Sequence, residues 1–268
     1  MATRAFDYQI LAQTGRTFRL ERLPLSSFVA PLALLALWQL ACLTGLFPPQ
    51  VLVPPSGVAK ALADMTASGE LQRHVGDSLQ RLLIGFVIGA LAGMAFGATI
   101  ALSQLAEAAF SPTFLTLWQV PVIAFVPMMV MFLGIDEPFK VAVVAIASFF
   151  PMALATFDGI RGVPRNWFEV AKIYRLRLFQ LIRRILLPAT VPAILTGLRI
   201  SLTRAWVVLV AAELLAADSG IGQMMEMGRQ LFQIDVVLAG VIVSGLIGFL
   251  LDRGARWIES RASRWRTA

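Results

Sequence analysis

Residues 82–102 read LLIGFVIGALAGMAFGATIAL and contain no charged residue. A helix needs about 20 apolar residues to cross the roughly 30 Å hydrocarbon layer of a bilayer, and this run supplies them. Glycine recurs in it at every fourth position, so the glycines share one helix face where a second backbone can approach closely. These helix-packing glycines are Gly85, Gly89, Gly93 and Gly97. The stretch predicts a membrane-spanning helix that packs tightly along its glycine face.

The rest of the chain has the same apolar character. Of its 268 residues, 58% are hydrophobic and only 15% are charged, with a mean hydropathy of +0.76. A soluble domain carries roughly 25% charged residues, so the composition excludes an ordinary soluble protein. Six apolar segments are long enough to span a membrane as helices: 28–47, 79–103, 112–133, 139–157, 191–216 and 236–258. We expect an all-α membrane protein of six transmembrane helices, with the first one uncleaved.

Arginine and lysine concentrate in three regions that six spans would place on one side of the membrane. These regions are the N-terminal segment, the stretch 158–190 and the C-terminus. The positive-inside rule makes that side cytoplasmic, so we expect a bacterial inner-membrane protein with both termini in the cytoplasm. The expected organisation is a cytoplasmic segment at 1–27, a six-span domain at 28–260 and a cytoplasmic tail at 261–268.

The stretch EVAKIYRLRLFQLIRRILLP, residues 169–188, interrupts the apolar pattern between the fourth and fifth segments. It contains one acidic residue and five Lys or Arg residues. On a helix at about 100° per residue, positions 178–186 separate into an apolar arc and a basic arc, and Pro188 is expected to end the helix. This pattern predicts an amphipathic helix on the cytoplasmic surface, which either binds anionic lipid or docks another protein.

The motif Glu169-Val170-Ala171, followed by Leu187-Pro188, resembles the "EAA" cytoplasmic loop of ABC importer permeases. Other segments resemble the nitrate, sulfonate and taurine branch of that family and occur in the family's order. They include LVPPSGV (52–58), FLGIDEPFK (132–140), PAILTGLRISL (192–202) and WVVLVAAELLAADSGIG (206–222). The chain is therefore identified as similar to binding-protein-dependent importer permeases over about residues 30 to 260.

This resemblance implies a type I ABC importer permease fold, with six transmembrane helices and cytoplasmic coupling helices. The implied partners are a second permease copy in a homodimer, a cytoplasmic ABC ATPase dimer, and a periplasmic or lipid-anchored solute-binding protein. Membrane lipid surrounds the permease, and no nucleic acid is expected. The residues implied in ATPase coupling are Glu169, Val170, Ala171, Lys172, Arg175, Phe179, Arg183, Arg184, Leu187 and Pro188.

Arg175 stands where the family usually has glycine. The backbone there is expected to form either a more continuous helix or a turn made without glycine. The chain has no GxxxxGK[ST] phosphate loop, so ATP and Mg are expected to bind the partner ATPase, and this subunit is not expected to be an enzyme. The single cysteine, Cys42, supports no internal disulfide or metal cluster, and we expect no cofactor or metal in this chain.

Charged residues inside apolar segments are candidates for function, because placing them in lipid is costly. Arg204 and Glu213 lie half a turn apart in the fifth segment and are not expected to pair. Arg204 either attracts an anion in the pathway, pairs with a charge on another helix, or extends toward the membrane surface. Pro121 is expected to bend or break the third segment. The candidate pathway residues are Trp118, Gln119, Pro121, Arg204, Trp206 and Glu213.

Together these features predict the permease subunit of an ATP-driven importer for a small anion. Aliphatic sulfonates or taurine are the first expectation for the substrate, followed by nitrate or bicarbonate. The alternative is an ATP-independent secondary transporter or channel whose basic helix only binds lipid. An intramembrane enzyme is disfavoured, since the chain has no GxSxG or HExxH motif and no His or Cys cluster.

Overall fold

The computed structural model describes residues 26–44, 48 and 52–262, and every regular element within them is helical. The described residues divide into two compact units, one that ends at Pro55 and one that begins at Ser56. The first unit contains α1 (Ser26–Leu43), an apolar helix of 18 residues that covers most of the predicted first span. Nearly all of the predicted N-terminal segment, and most of the predicted tail, lie outside the described residues.

The second unit contains the remaining helices. They are α2 (Pro55–Ser68), α3 (Glu70–Leu102), α4 (Gln104–Trp118), α5 (Val126–Leu133), α6 (Glu137–Arg161), α7 (Arg165–Ile173), α8 (Leu178–Leu181), α9 (Leu187–Leu215), α10 (Ile221–Gln230) and α11 (Ile234–Ala262). Within residues 52–262, four helical segments are long and apolar enough to cross a membrane: 70–102, 137–161, 179–215 and 234–262. They correspond to the predicted second, fourth, fifth and sixth spans.

Helices α3 and α6 lie side by side along the glycine face of α3. A Cβ atom on Gly89 would overlap the carbonyl oxygen of Ala145, and one on Gly97 would overlap that of Ala153. The residue numbers of these contacts rise together along both helices, so α3 and α6 run parallel. Because parallel spans begin on the same side of the membrane, the chain between them must return across it.

The returning segment is broken at Pro121, which confirms the bend or break predicted for the third segment, 112–133. Helix α4 ends at Trp118, a 3-10 turn covers Val122–Phe125, and the two halves meet at an angle of 89°. Pro121 lies at the break: it has no N–H for the helix ladder, and its carbonyl accepts a hydrogen bond from the Ala124 N–H at 2.9 Å. Since α3 and α6 are parallel, the bent α4–α5 pair makes one crossing.

A buried apolar cluster holds the second half of this broken span in place. It joins Val126 and Met129 of α5 to Phe139 and Val143 of α6 and to Ala212 of α9. The cluster therefore fixes α5 against two long helices at the end where α6 begins and α9 finishes.

Helices α9 and α11 pack antiparallel. Arg199 Nε lies 3.3 Å from Glu259 Oε2, and further along α9 the Trp206 indole N–H donates to the Ser244 carbonyl at 3.1 Å. The residue numbers rise on one helix and fall on the other. The second unit therefore accounts for five of the six predicted crossings.

The basic stretch between the fourth and fifth spans is divided into two helical parts. Helix α7 ends in a turn at Arg175, which has a φ of 48°. The Leu176 N–H donates to the Ala171 carbonyl and the Arg175 N–H to the Lys172 carbonyl, both at 3.0 Å. These two bonds form a Schellman motif, in which the left-handed position usually carries glycine. Of the two expected backbones, the chain adopts the turn made without glycine.

The prediction that Pro188 ends the second basic helix is wrong. Ile182–Leu186 form a π turn in which the Leu187 N–H donates to the Ile182 carbonyl, and the helix continues through Pro188 into α9. The wider turn accommodates proline, which lacks an N–H and would clash with the carbonyl four residues earlier in a regular α-helix. The basic segment and the fifth span are therefore one helical rod over 179–215.

Candidate functional site

A cavity of about 460 Å³ lies where the broken span meets α6 and α9. Four of the predicted pathway residues line it: Trp118, Gln119, Pro121 and Arg204. The rest of the wall consists of Val120, Val122, Ile123, Ala147, Phe150, Thr203, Val207 and Val208. Irregular backbone at membrane depth is tolerated where it borders such a space. The break at Pro121 thus brings two distant sequence segments to one cavity.

The guanidinium of Arg204 lies over the indole ring of Trp118, with its Cζ 4.5 Å from the ring centroid. Among the described residues, Arg204 forms no ion pair with a carboxylate. Its position on α9 is roughly 16 Å from the helix end at Leu215, given the helical rise per residue. Arg204 is exposed, and a cation–π contact with Trp118 holds its guanidinium at the cavity wall.

Two other predicted pathway residues lie elsewhere. Trp206 is 3% exposed and bonds α11 instead of lining the cavity. Glu213 is 1% exposed and belongs to a polar cluster beside α3. Arg204 and Glu213 therefore occupy different sides of α9.

This polar cluster centres on Arg81 and joins the ends of α3, α6 and α9; we call it the Arg81 cluster. Arg81 is 3% exposed, and its Nη1 donates to Glu213 Oε1 at 2.9 Å. Its Nε and Nη2 donate to the two carboxylate oxygens of Glu137 at 2.7 and 2.6 Å. Ser219 accepts two further bonds, through its carbonyl at 2.7 Å and its hydroxyl at 2.6 Å. Each N–H group of the buried Arg81 guanidinium therefore has a hydrogen-bond acceptor.

Glu213 is equally well satisfied in the Arg81 cluster. The Ser78 hydroxyl lies 2.9 and 2.8 Å from its two carboxylate oxygens, and the Gly222 N–H donates to Oε2 at 3.1 Å. Gly220 has a φ of 110°, and a Cβ atom there would overlap the Glu213 carboxylate. Only glycine meets both constraints, so the loop before α10 is fixed against a buried charge pair.

Sequence reasoning missed Arg81, Ser78 and Glu137. The available signal was the position of Arg81 directly before the charge-free run, because a charge at that depth needs a partner. That partner, Glu213, lies 132 residues further along the chain. The sequence could therefore have flagged the arginine but not what neutralises it.

The predicted coupling residues are mostly exposed. Those on the surface are Glu169, Val170, Lys172, Arg175, Phe179, Arg183, Arg184, Leu187 and Pro188. Ala171 is the buried member, 6% exposed. Ile173 and Tyr174, which sequence reasoning did not select, are 78% and 75% exposed, and Phe179 is 71% exposed. Large apolar side chains beside cations are typical of a surface that contacts another protein.

On α10, which lies outside the long helices, hydrogen bonds from Arg229 and Gln230 lower the pKa of Glu226 to about 2. The same carboxylate raises the pKa of the Arg229 guanidinium above its ordinary value. This surface pair stays ionised at every physiological pH, so it is not a pH sensor.

The family described as "Binding-protein-dependent transport system inner membrane component" matches residues 85–264. A Bacillus subtilis (strain 168) protein named as an aliphatic sulfonates transport permease is 35% identical over 244 residues, covering 91% of this chain and 88% of that protein. The taurine transport system permease protein TauC of Escherichia coli (strain K12) is 32% identical over 237 residues, covering 87% and 86%.

A solved structure shares the fold. It is an inward-facing conformation of the MetNI methionine ABC transporter, and a chain in it matches with a TM-score of 0.62 at 16% identity. The match covers 72% of this chain and 96% of that chain. The helical arrangement described above is thus that of a type I ABC importer permease.

Proposed function

Because this chain belongs to the family of binding-protein-dependent transport system inner membrane components, we propose that the cavity beside Arg204 is the passage for a small anion. The chain is the membrane-spanning permease subunit of an ATP-driven importer, and ATP hydrolysis belongs to a separate ATPase subunit. A solute-binding protein is the third component of such a system. Family membership excludes the ATP-independent transporter and the intramembrane enzyme.

The substrate proposed first is an aliphatic sulfonate or taurine, followed by nitrate or bicarbonate. Two relatives that match most of this chain are named for sulfonates and for taurine. The observation in this molecule that carries the proposal is the cation at the cavity wall. Arg204 forms no ion pair with a carboxylate in the described part of the chain, so its charge is available to an anion.

The proposed coupling surface is α7, the Arg175 turn and the start of the 179–215 rod. Its exposed apolar side chains would enter a groove on the ATPase, and the neighbouring cations would favour an acidic rim there. Because the basic segment continues without interruption into α9, a push on the surface would move the helix that carries Arg204. This continuity supports rigid transmission of movement from the ATPase to the cavity.

The remaining parts of the assembly follow the same proposal. ATP and Mg bind the partner ATPase, and this chain carries no cofactor of its own. Two identical permease copies form a homodimer in the bacterial inner membrane, surrounded by lipid, with both termini of each copy in the cytoplasm. The excess of cations at the α7 end supports that end as cytoplasmic, which places the Arg81 cluster at the periplasmic end.

The test is uptake by the purified permease, ATPase and binding protein reconstituted in proteoliposomes. Arg204→Gln is expected to reduce ATP-dependent uptake of radiolabelled 1-propanesulfonate at least about tenfold, because the charge-assisted bond is lost. Arg253→Gln is the matched control, since Arg253 is an exposed arginine of α11 outside the cavity. Normal uptake by Arg204→Gln would refute the passage, and loss of assembly with the ATPase would be checked by co-purification.

A further inference from the structure

We infer that this permease holds an anionic phospholipid of the cytoplasmic leaflet in a groove between α3, α9 and α11. The groove has a volume of about 370 Å³ and shares no lining residue with the cavity at Trp118. Arg199 and Arg261 bind the lipid phosphate, and the groove wall holds an acyl chain. The assignment to the cytoplasmic leaflet rests on the orientation proposed above, in which the α7 end of the bundle is cytoplasmic.

The wall of the groove is apolar except at Arg199, which is the charged residue that lines it in the described part of the chain. On α11 the lining positions run from Leu250 to Ile258, roughly 12 Å along the helix axis at its usual rise. The larger side chains of the wall are Phe86, Leu198, Leu202, Leu250, Leu251 and Ile258. An acyl chain matches this wall because it is thin, extended and wholly apolar.

Gly254 leaves the groove open on the α11 side. It is exposed, and a Cβ atom there would meet no heavy atom within 4 Å. Helices that pack closely in membranes usually do so across small residues on successive turns, as α3 does against α6. The residues one turn before and after Gly254 are instead large, Leu250 and Ile258. A single notch between large side chains suits a flexible chain better than a second helix.

The end of the groove nearer α7 carries a cation on α11. Arg261 lies one turn beyond Ile258 on the same face of the helix, because positions three and four apart are neighbours there. Its Cζ is 4.4 Å from the centroid of the Trp257 ring, and it forms no ion pair with a carboxylate of the described chain. Tryptophan is enriched at the level of the lipid head groups, so the pair lies where a phosphate is expected.

Arg199 supplies the second cation, and its acidic neighbour is already bonded. Arg199 Nε lies 3.3 Å from Glu259 Oε2, and the Thr196 hydroxyl donates to Glu259 Oε1 at 2.5 Å. Both oxygens of Glu259 are therefore engaged, while the Arg199 side chain remains 26% exposed. Two arginines against one carboxylate leave this end of the groove positively charged.

An anionic phospholipid combines the two chemistries of the groove. Basic pockets between transmembrane helices on the cytoplasmic side are typical sites for the head groups of anionic lipids. A free phosphate would leave the apolar wall without a contact. A zwitterionic lipid would fill the wall, but its ammonium would offset the attraction of its phosphate to the two arginines. Phosphatidylglycerol is therefore expected to bind in preference to phosphatidylethanolamine.

Native mass spectrometry of the delipidated permease–ATPase complex in detergent tests this preference. The probes are palmitoyl-oleoyl phosphatidylglycerol, phosphatidylethanolamine with the same chains, and inorganic phosphate. We expect phosphatidylglycerol to bind at least about tenfold more tightly than phosphatidylethanolamine, since each arginine near a membrane surface adds about fivefold. Inorganic phosphate should not bind measurably. Equal binding of the two lipids, or binding of inorganic phosphate as tight as that of phosphatidylglycerol, would overturn the inference, whichever way the permease is oriented in the membrane.

The phosphate contact is tested with Arg261→Gln. This variant is expected to weaken phosphatidylglycerol about fivefold and to leave phosphatidylethanolamine nearly unchanged. Arg256→Gln is the matched control, because Arg256 is an exposed arginine about 140° further around α11 that bonds Asp252 at 2.6 Å. The control should retain the preference for phosphatidylglycerol. An Arg261→Gln variant with the wild-type preference would contradict the proposed phosphate site.

The acyl-chain contact is tested with Gly254→Leu, which fills the notch and should weaken both lipids at least about tenfold as methylene contacts are lost. Gly245→Leu is the matched control: it is an exposed α11 glycine outside the groove, with no heavy atom within 4 Å of its Cβ position. Leucine favours a helix at both positions, so neither variant should unfold. Unchanged lipid binding by Gly254→Leu would refute the groove as the lipid site. Separation of two permease copies by Gly254→Leu, without any lipid preference in the wild type, would show that a second protein chain occupies it instead.

Discussion

Two arginines in the long helices show how differently this protein treats the same charge. Arg81 is 3% exposed and bonds two carboxylates and Ser219, whereas Arg204 lies against Trp118 at a cavity and bonds no carboxylate of the described chain. A buried charge costs several kcal/mol unless it has hydrogen-bond and ion-pair partners. The full set of partners around Arg81 is therefore typical of a residue that stabilises the fold. The incomplete set around Arg204 is typical of a ligand site. The comparison teaches that the partners of a membrane arginine, not its position in a span, indicate its role.

The largest effect on stability is expected from a mutation in the Arg81 cluster. Arg81→Ala leaves Glu213 buried without its cation, which should lower the free energy of unfolding by about 3–5 kcal/mol. Chemical denaturation of the purified complex in detergent measures this loss. Arg73→Ala, at an exposed position on the same helix, is the control and should change stability by less than about 0.5 kcal/mol. Equal stability of the two variants would show that the Arg81 cluster is not structural.

The next effect concerns the contact that holds α3 parallel to α6. Gly89→Ala forces a Cβ atom into the Ala145 carbonyl, and the expected net loss is about 1–2 kcal/mol after the better helix propensity of alanine is counted. Gly76→Ala is the matched control on α3, because no heavy atom lies within 4 Å of its Cβ position. The control should be neutral or slightly stabilising. Thermal unfolding of both variants in one detergent measures the difference in stability. A Gly89→Ala variant as stable as the wild type would mean that α3 and α6 separate easily at this contact.

A mutation of Arg204 should affect uptake more than stability. Arg204→Ala removes one cation–π contact, which is worth about 0.5–1 kcal/mol, so the unfolding free energy should fall far less than in Arg81→Ala. Uptake should nevertheless fall at least about tenfold. Denaturation and transport are measured on the same preparation. A destabilisation as large as that of Arg81→Ala would place Arg204 among the architectural residues and remove the contrast.

The smallest effect is expected at the coupling turn. Arg175→Gly relieves the left-handed backbone at φ 48°, and the gain should be only a few tenths of a kcal/mol because glycine also loses more entropy on folding. ATPase stimulation by the binding protein should persist, since the turn keeps its shape. Arg175→Val, which resists that conformation, should reduce both stability and stimulation. If valine behaves as glycine does, the turn has no defined geometry in the assembled importer.

Two prolines mark the limit of local reasoning about the fold. Both Pro121 and Pro188 predict a helix end, yet the chain breaks at Pro121 and continues through Pro188 by a π turn. The same residue has both outcomes because neighbouring helices and a wider turn decide whether the freed backbone is satisfied. The sequence therefore predicted where the helices become irregular, but not whether each helix breaks or continues there.

The candidate site was also partly predictable. A charge in one apolar segment and a proline in another pointed to Arg204 and Pro121, and Trp118 and Gln119 were selected beside that proline. The break brings these four residues together. Trp206 and Glu213 were selected in the same segment, Glu213 because it is charged, but neither residue lines the cavity. Periodicity predicts which residues share a helix face, but it does not predict which other helix that face meets.

Hydropathy, charge distribution and motif order determined by themselves that this protein is a helical membrane permease, because these properties are sums over neighbouring residues. The four-residue spacing of glycines likewise fixed a packing face. Only the tertiary structure decided the pairing of Arg81 with a carboxylate 132 residues away, the bend of 89° and the stacking of Arg204 on Trp118. Those contacts depend on which helices become neighbours. Because a buried polar group without a hydrogen bond is costly, each such group bonds a partner on the neighbouring helix.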